Sequence, residues 1–274
     1  MAAEIGLDAL FAARPELQDL SGKWALISGA SSGIGKAVAC MLAALKCNVA
    51  LLARRKDCLN EIKAEIEARC SDIEVKVVAG DVTSDETFVA LREKGLLDCI
   101  DILVNNAALA FGMDHVQDFL APEAKCTLDI NCYGAFRLVR EVLPGMVDRG
   151  GGHVISTGSN AGMEAYEGGS VYVASKHALH AFMKALRYET YNKNIRCTVV
   201  APGAVGEGTE FAVKRFRGDT GKAEALYHNF QELSSMDVAS QIIWAIRQPP
   251  HVNIDMLHVM PTCQASQKRI HRAP

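Results

Sequence analysis

Two side chains that can take part in proton transfer, Tyr172 and Lys176, lie four residues apart in the sequence. Residues at this spacing share one face of a helix, and the apolar residues that follow at helical spacing predict a long, packed helix. A tyrosine has an ordinary pKa of about 10, and a nearby ammonium group favours its phenolate and lowers that pKa. Although the spacing is common on surface helices, such a pair could act as general acid and base in interconverting an alcohol and a carbonyl group.

A serine hydroxyl is predicted close to this pair. Ser159 follows the apolar run 153–157, which predicts a β-strand, and lies 13 residues before Tyr172. Parallel sheets bind ligands at the carboxyl ends of their strands, so a hydroxyl there can hydrogen-bond a substrate oxygen. Thr157 and Ser156 are competing candidates, although Ser156 is expected to point into the sheet. The surrounding sequence lacks the G-x-S-x-G pattern of a hydrolase nucleophile, so we expect Ser159 to orient a substrate and not to attack it.

A glycine-rich segment, residues 28–35, lies between the first predicted strand and a predicted helix. Glycines permit a tight turn and let the backbone approach a pyrophosphate, while the helix that follows offers free N–H groups. This position between a strand and a helix distinguishes the segment from an ordinary connecting turn. It predicts a dinucleotide-binding loop, whose expected cofactor contacts are Gly29, Ser31, Ser32, Gly33, Ile34 and Gly35.

The residues after the second predicted strand, 49–53, favour one nucleotide over another. A site for NAD usually has an acidic residue here, which binds the ribose 2′-hydroxyl. This chain has Arg54 and Arg55 instead, and a guanidinium group binds phosphate through a planar, permanently charged fork. The sequence therefore predicts NADP(H), with Arg54 as the first choice for contacting the 2′-phosphate and Arg55 as the second.

Asp81 follows the third predicted strand, 75–79, where its carboxylate could accept a hydrogen bond from the adenine amino group. The alternative is a structural aspartate at the start of a helix. Thr83 and Glu86 have the T-x-x-E spacing of a capping box, which assigns the helix start to Thr83 and favours the binding role for Asp81.

A sheet is needed to bring these groups together. Apolar runs typical of buried strands alternate with segments of helical periodicity, which predicts an α/β fold with a doubly wound, mostly parallel sheet, the Rossmann fold. The predicted strands are residues 24–27, 49–53, 75–79, 100–104, 153–157, 196–200 and one within 253–260. We predict a single domain at 23–262, after an N-terminal extension, 1–22, and before a basic tail, 263–274, that is either solvated or docked on a partner subunit.

Composition excludes several classes of function. The chain has 29 basic and 32 acidic residues and a formal net charge of −3, so it lacks the basic field that would hold nucleic acid or an anionic membrane. Its nine cysteines have no C-x-x-C spacing and its eight histidines form no metal-binding motif, which favours reduced thiols and no metal site. Since no segment is convincing as a targeting signal, we expect a cytoplasmic protein.

In their order along the chain, these motifs resemble the short-chain dehydrogenase/reductase family over about residues 22–262. The matching residues are Ser28 to Gly35, Asp81-Val82, Asn105-Asn106-Ala107, Asn131, Ser159, Tyr172, Lys176 and Pro202-Gly203. The resemblance implies that Tyr172 is the acid/base and that Lys176 tunes it while holding the nicotinamide ribose. It implies that Ser159 orients the carbonyl group and that Asn131 supports a proton-relay water. Further cofactor contacts are implied at Val82, Asn105, Ala107, Pro202, Gly203, Val205 and Thr209.

The chain departs from the family pattern at three places. Ser28 replaces a threonine and Ala108 replaces a glycine. After Pro202-Gly203, Glu207 stands where the family often has threonine, and Thr209 follows two residues later. We therefore expect a longer nicotinamide loop.

Residues 202–219 and 249–266 resemble one branch of the family, the NADP-dependent 3-hydroxy acid dehydrogenases. This resemblance implies serine, allo-threonine and malonic semialdehyde as substrates, and a homotetramer. A small hydroxy acid needs a cation for its carboxylate, which Arg215 or Arg217 could supply unless both are merely solvated. Glu164 and Tyr166 could instead contact an amino group. Ser159, Tyr172 and Arg215 are the expected substrate contacts.

The leading interpretation is an NADP(H)-dependent oxidoreductase that interconverts a small 3-hydroxy acid, of the serine, allo-threonine or 3-hydroxypropionate type, and its carbonyl form. A broad carbonyl or 3-oxoacyl reductase of the same family is the alternative enzyme. A non-catalytic NADPH-binding sensor or scaffold is the alternative from another class, and the complete set of serine, tyrosine, lysine and asparagine argues against it.

Overall fold

A seven-stranded sheet forms the centre of the computed structural model, which describes residues 17–273. Its strands are β1 (Trp24–Ser28), β2 (Asn48–Ala53), β3 (Val75–Ala79), β4 (Ile102–Asn105), β5 (Gly152–Thr157), β6 (Ile195–Pro202) and β7 (Met256–Val259). They are arranged in the order β3-β2-β1-β4-β5-β6-β7, and every neighbouring pair is parallel. Each predicted strand overlaps an observed one, and the predicted α/β fold is confirmed.

Helices cover both faces of this sheet. Along the described chain they are α1 (Gly33–Ala44), α2 (Lys56–Glu67), α3 (Asp85–Glu93), α4 (Ala121–Leu128), α5 (Ala135–Asp148), α6 (Ser170–Thr190), α7 (Phe211–Arg215), α8 (Thr220–Leu226) and α9 (Ser235–Ile246). Successive residues of β1 face opposite sides: Leu26 packs in the cluster with Leu138 of α5, and Ile27 in the cluster with Leu42 of α1. Burying each leucine contributes about 1.5–3 kcal/mol, so both layers hold the sheet in place.

The order of the strands places a ligand crevice at one edge of the sheet. From β1 the chain proceeds to β2 on one side, and it returns later to β4 on the other side of β1. At such a switch point, the loops after the two neighbouring strands diverge and leave an opening outside their carboxyl ends. The glycine-rich loop follows β1 directly, so the fold presents it at this opening.

The predicted capping box of α3 is wrong. The residue at the N-cap is Ser84, and its hydroxyl donates a hydrogen bond to the carboxylate of Glu86. Thr83 is unavailable for capping because its hydroxyl and its backbone N–H both donate to Oδ1 of Asp81, at 2.7 and 2.9 Å. Asp81 therefore organises the loop before the helix, in addition to facing the cleft described below.

Both ends of the described chain contact the rest of the domain. Residues 1–16 of the predicted extension lie outside the described residues, but Leu20 is buried against the α1 and α9 side of the sheet. In the predicted tail, the Arg272 guanidinium donates to the carbonyl groups of Leu226 and His228 of the same chain, and the backbone N–H of Ala273 donates to the Asn229 carbonyl. The described tail thus contacts its own subunit, and its docking on a partner subunit stays a prediction.

Candidate active site

A cleft of about 500 Å³ opens at the carboxyl ends of the central strands. The predicted site residues that line it are Gly29, Ser31, Ser32, Gly33, Ile34, Arg54, Arg55, Asp81, Val82, Ala107, Ser159, Tyr172, Lys176, Pro202, Gly203, Val205, Thr209 and Arg215. Three predicted site residues, Gly35, Asn105 and Asn131, are not among the residues that form its walls. Residues far apart in sequence therefore meet at one site, and the three exceptions require separate explanations.

The glycines of the loop after β1 have different roles. Gly29 and Gly33 have φ angles of +68° and +60°, which residues with a Cβ adopt only with strain. At Gly35 a Cβ would collide with the carbonyl oxygen of Gly29, inside the loop and away from the cleft. Gly35 therefore has a packing role, in which it lets α1 start close beneath the loop, and its predicted cofactor contact stays a prediction.

Asn105, a predicted cofactor contact, does not line the cleft, whereas its neighbour Asn106 does. The Asn105 side chain is buried and donates a hydrogen bond to the Ala135 carbonyl at the start of α5. Consecutive residues of a strand point to opposite sides, so Asn106 faces the cleft instead. The Asn106 amide donates to the Ser28 carbonyl at 3.1 Å, and its oxygen accepts from the Thr157 hydroxyl, also at 3.1 Å. Asn106 thus joins the loops after β1, β4 and β5.

The two arginines after β2 are held differently. Arg55 forms an ion pair with Glu210 at 2.7 Å, and its guanidinium also donates to the hydroxyls of Ser31 and Ser32 in the glycine-rich loop. Arg54 is more exposed, and its Nη1 lies 3.8 Å from the Asp81 carboxylate. Both guanidinium groups therefore lie at one end of the cleft, next to the glycine-rich loop.

Asn131 is fixed below the cleft in a π-helical turn, Asp129–Gly134, between α4 and α5. Its side-chain oxygen accepts from the backbone N–H of Leu109, and its amide donates to the Leu109 carbonyl and to the Ser175 hydroxyl at 3.0 Å. These three bonds tie the loop after β4 to α6, which carries Tyr172 and Lys176. The side chain of Asn131 is thus held in place by three hydrogen bonds, and its predicted support of a proton-relay water stays a prediction.

Ser159, Tyr172 and Lys176 converge on one part of the cleft wall. The Lys176 ammonium donates to the carbonyl of Thr157 at 2.8 Å and lies 5.8 Å from the centre of the Tyr172 ring. Ser159 stands at the N-cap of a short 3₁₀ turn, where its hydroxyl oxygen accepts from the backbone N–H of Ala161 at 3.1 Å. The fold therefore brings the end of β5 against the first turns of α6, as the predicted constellation requires.

Burial sets the proton affinities of this group. It raises the pKa of Tyr172 well above its ordinary value, while the nearby Ser159 hydroxyl and the guanidinium charge of Arg215 act in the opposite direction. Burial also lowers the pKa of Lys176 to about 8. The expectation that the lysine lowers the tyrosine pKa is therefore wrong for this structure, since burial outweighs any attraction between charges. At neutral pH, Tyr172 holds its proton and can donate it.

The structure separates the two candidate arginines for a carboxylate. Arg217 forms ion pairs with Glu123 at 2.7 Å and with Asp114 at 2.6 Å, and it does not line the cleft. Arg215 is 6% exposed, and its Nε and Nη2 atoms have no hydrogen-bond partner within residues 17–273. Its guanidinium lies 5.5 Å from the ring centre of Tyr172. Arg215 thus presents unpaired N–H groups beside the predicted acid/base.

Comparison with known proteins places this arrangement in a family. The model of the short chain dehydrogenase family matches residues 23–219. The chain belongs to the short-chain dehydrogenase family. The resemblance identified from the sequence motifs is therefore confirmed, and the chain is similar in fold and sequence to oxidoreductases.

Among the similar curated proteins of the short-chain dehydrogenase family is the NADP-dependent 3-hydroxy acid dehydrogenase of Schizosaccharomyces pombe. It is 39% identical over 256 residues, which cover 92% of this chain and 98% of that protein. The Escherichia coli protein of the same name is 36% identical over 248 residues, covering 90% of this chain and 98% of its own. A solved structure of serine dehydrogenase in its closed form with NADP⁺ has a TM-score of 0.83 and 34% identity, and the match covers 91% of this chain and 100% of that one.

Sequence reasoning missed part of the wall of this short-chain dehydrogenase. Gln264 and Gln267 of the tail line the cleft. The Gln264 oxygen accepts from the backbone N–H of Ala204 at 2.8 Å, and the Gln267 amide donates to the side chain of Asn160, beside Ser159. Local periodicity contains no signal for contacts that join positions 60 and 107 residues apart, so only the folded chain reveals them.

His180, which lies next to Ser159, should make the stability of the fold depend on pH. Nε2 of His180 lies 3.5 Å from the backbone N–H of Ser159, and burial lowers the pKa of His180 to about 4 from 6.5. Between pH 6.5 and pH 4 the unfolded chain therefore binds more protons than the folded one, so the free energy of unfolding falls as the pH falls. We expect His180 to account for a loss on the order of 1–3 kcal/mol across this window.

Urea denaturation at pH 7 and at pH 4.5 checks this expectation. His180→Asn retains a side chain that can accept the hydrogen bond but cannot titrate, so the loss of stability between the two pH values should shrink. His177→Asn, an exposed position of the same helix, should lose as much stability as the unaltered protein. An unchanged difference in His180→Asn contradicts the assignment.

Proposed function

We propose that the protein is an NADP(H)-dependent oxidoreductase that interconverts a small 3-hydroxy acid and its carbonyl form by hydride transfer. The observation that carries the choice of an acid is the buried guanidinium of Arg215, with two N–H groups free of partners within the described chain, beside Tyr172. A carboxylate can accept both N–H groups at once. The names of the similar curated proteins support the same substrate class.

The residues of the cleft fit a dinucleotide with a 2′-phosphate. At Gly29 a Cβ would lie 2.9 Å from Nδ2 of Asn106, so only glycine leaves the loop narrow enough for the backbone to face a pyrophosphate. Arg54 and Arg55 would hold the 2′-phosphate, and Asp81 would meet the adenine. The nicotinamide supplies hydride acceptance and donation when the cofactor is bound.

The chain's own residues would handle the proton of the reaction. In the reductive direction, Tyr172 donates the proton of its hydroxyl to the substrate oxygen, and in the oxidative direction the phenolate accepts the proton of the alcohol. Ser159 orients that oxygen with its hydroxyl, and Lys176 supplies a positive charge on the same side of the cleft. Burial raises the pKa of Tyr172, which favours the protonated form that donates in the reductive direction.

Initial rates test the proposal. We expect NADP-dependent oxidation of 3-hydroxypropionate and 3-hydroxyisobutyrate, and NADPH-dependent reduction of malonic semialdehyde, with kcat/KM values at least about 10-fold above those obtained with NAD(H). A preference for bulky ketones over malonic semialdehyde would instead support a broad carbonyl reductase. Binding of NADPH without turnover of any compound in the panel would support a sensor or scaffold.

The choice of cofactor gives a prediction at Arg55. Removing its charge in Arg55→Gln should raise the KM for NADP about 10- to 100-fold, because a charged hydrogen bond to phosphate is worth about 1.5–3 kcal/mol, and should leave the KM for NAD nearly unchanged. Lys56 is the next residue along the chain, and its side chain does not line the cleft. Lys56→Gln also removes one positive charge, and its KM values for NADP and NAD should equal those of the unaltered protein. Equal effects of Arg55→Gln on both nucleotides would refute the assignment.

The proposal includes a location in the cytosol and assembly into a homotetramer. All nine cysteines are free thiols, which supports a reducing compartment such as the cytosol. The resemblance to the 3-hydroxy acid dehydrogenases supports a homotetramer, and light scattering of the purified protein would determine the number of subunits.

A further inference from the structure

The imidazole of His180 lies against the segment that carries Ser159. His180 follows Lys176 by about one turn of α6, so both side chains face the end of β5. Unlike Lys176, His180 is not among the residues that line the cleft. The imidazole therefore has no direct contact with a ligand in the cleft, and it can act on the reaction only through its neighbours.

Two glycines on either side of Ser159 pack directly on this imidazole. At Gly158 a Cβ would lie 2.4 Å from Nε2 of His180, and at Gly162 it would lie 2.4 Å from Cε1. The side chain of Val199 is also close at Gly158, at 2.6 Å. At Gly162, however, the three nearest atoms all belong to the His180 ring. The backbone on both sides of Ser159 is thus folded onto the imidazole, which leaves no space for a larger residue at either glycine.

Hydrogen bonds hold both the backbone and the side chain of Ser159. Its backbone N–H donates to Nε2 of His180 at 3.5 Å, which is long for such a bond. Its hydroxyl oxygen accepts from the backbone N–H of Ala161 at 3.1 Å. The hydroxyl hydrogen has only a long contact, 3.4 Å, with Oδ1 of Asn160. A substrate oxygen can replace that contact, so the Ser159 segment is held in place while its hydroxyl stays available.

The imidazole must be neutral to accept the Ser159 N–H, because a protonated ring carries a proton on both nitrogens. Burial lowers the pKa of His180 to about 4. Positive charge on Lys176, His177 and His258 acts in the same direction and outweighs the nearby Gly162 carbonyl. At neutral pH Nε2 is therefore the acceptor, and the single ring proton lies on Nδ1.

We infer, resting on the proposed function, that His180 is a positioning residue for Ser159. The imidazole supports the backbone at Gly158 and Gly162 and accepts the N–H of Ser159. It thereby sets the direction in which the Ser159 hydroxyl meets the substrate oxygen. The role concerns the geometry of the reacting groups and leaves the binding of the nucleotide unaffected.

Two substitutions of His180 separate its hydrogen bond from the volume of its ring. His180→Gln has a side-chain oxygen that reaches as far as Nε2, whereas His180→Leu has no acceptor. With 3-hydroxypropionate and NADP, kcat should fall about 10-fold in His180→Leu and about 3-fold or less in His180→Gln, since a misplacement of about 1 Å can cost about 100-fold. NADPH binding should stay within about 2-fold of the unaltered protein. His177→Leu, at an exposed position of the same helix, should retain full kcat.

Removing the Ser159 hydroxyl tests whether His180 acts through it. When the chain already carries Ser159→Ala, adding His180→Leu should change kcat by less than about 2-fold, because two substitutions that abolish the same interaction are not additive. An equal loss with and without the Ser159 hydroxyl would show a general structural effect and would overturn the inference. Full kcat in His180→Leu alone would overturn it as well.

Gly162 provides a test of the packing. Gly162→Ala introduces a Cβ whose three nearest neighbours are atoms of the His180 ring, so it should displace the ring and lower kcat about 10-fold. In a chain that carries His180→Ala those atoms are gone, and adding Gly162→Ala should change kcat by less than about 2-fold. A second loss of about 10-fold there would contradict the packing role. This pair of variants also decides the question if thermal unfolding shows that His180→Leu does not fold.

Nuclear magnetic resonance of the ring nitrogens tests the hydrogen bond without turnover. In protein with ¹⁵N-labelled histidine at pH 7, the resonances that disappear in His180→Gln identify this ring. We expect a neutral imidazole with its proton on Nδ1. A proton on Nε2 would leave no acceptor for the Ser159 N–H and would overturn the inference. If none of the hydroxy acids is oxidised, the proposed function fails, and this measurement still decides the position of the proton.

Discussion

Replacing Tyr172 by phenylalanine should lower kcat by about 10²- to 10⁴-fold, which is the usual contribution of a positioned general acid or base. The substitution removes only the hydroxyl. The ring remains, together with its contacts to Arg215 and to Phe211, 5.5 Å away in each case. The loss should therefore affect the chemical step, with NADPH binding, followed by its fluorescence, within about 3-fold of the unaltered protein.

The control for this prediction lies on the same helix. Tyr188 is 67% exposed, so Tyr188→Phe makes the same chemical change away from the cleft and should retain full kcat. Thermal unfolding followed by circular dichroism would show that both variants are folded. If Tyr172→Phe retains more than about a tenth of kcat, the hydroxyl of Tyr172 is not the proton donor, and a solvent path must replace it.

Replacing Arg215 by methionine should lower kcat/KM for 3-hydroxy acids about 10- to 100-fold, with most of the effect in KM. The estimate follows from about 1.5–3 kcal/mol for a charged hydrogen bond. Because Nε and Nη2 of Arg215 have no partner in the described chain, methionine fills the volume without leaving another group unpaired. Arg215→Lys keeps the charge but loses the planar fork, so its kcat/KM should be intermediate.

Two comparisons isolate the role of Arg215. Arg217→Met removes the neighbouring guanidinium, which is engaged by Glu123 and Asp114 outside the cleft, and should change kcat/KM by less than about 3-fold. The methyl ester of the same hydroxy acid lacks the carboxylate, so Arg215→Met should affect its turnover much less than that of the acid. A larger effect of Arg217→Met, or equal effects on the acid and its ester, would refute the assignment.

Arg55 and Arg215 have contrasting surroundings, which explains why they are assigned to different ligands. Arg55 is paired with Glu210 and bonded to the serines of the glycine-rich loop, whereas the buried Nε and Nη2 of Arg215 have no protein partner in the described chain. Glu210 is also the N-cap residue of α7, the helix that ends at Arg215. The two ends of the cleft are thus connected through a single short helix.

The structure describes no helix in residues 17–273 that is long and apolar enough to cross a membrane. Within the same residues, no group of three or more histidine, cysteine, aspartate or glutamate side chains is placed to hold a metal ion.

The sequence by itself determined the architecture and most of the cleft. Buried strands need continuous apolar runs and their helices need an apolar stripe, so the alternation of the two patterns was readable locally and the strand positions were confirmed. The glycine-rich loop could be recognised because its function depends on a backbone conformation that requires glycine at particular positions. The pairing of Tyr172 with Lys176 was visible because both residues lie on one helix.

Only the tertiary structure decided the assignments that depend on long-range contact or burial. It places Asn106 and not Asn105 on the wall of the cleft, and it pairs Arg217 with acidic side chains outside the cleft, whereas Arg215 lines it. It also reversed the expected pKa shift of Tyr172, because burial depends on elements far away in the chain. Local periodicity records which face of a helix or strand is covered. It does not record which distant side chain covers it, and that partner sets the charge, the proton affinity and the free hydrogen-bond donors of the site.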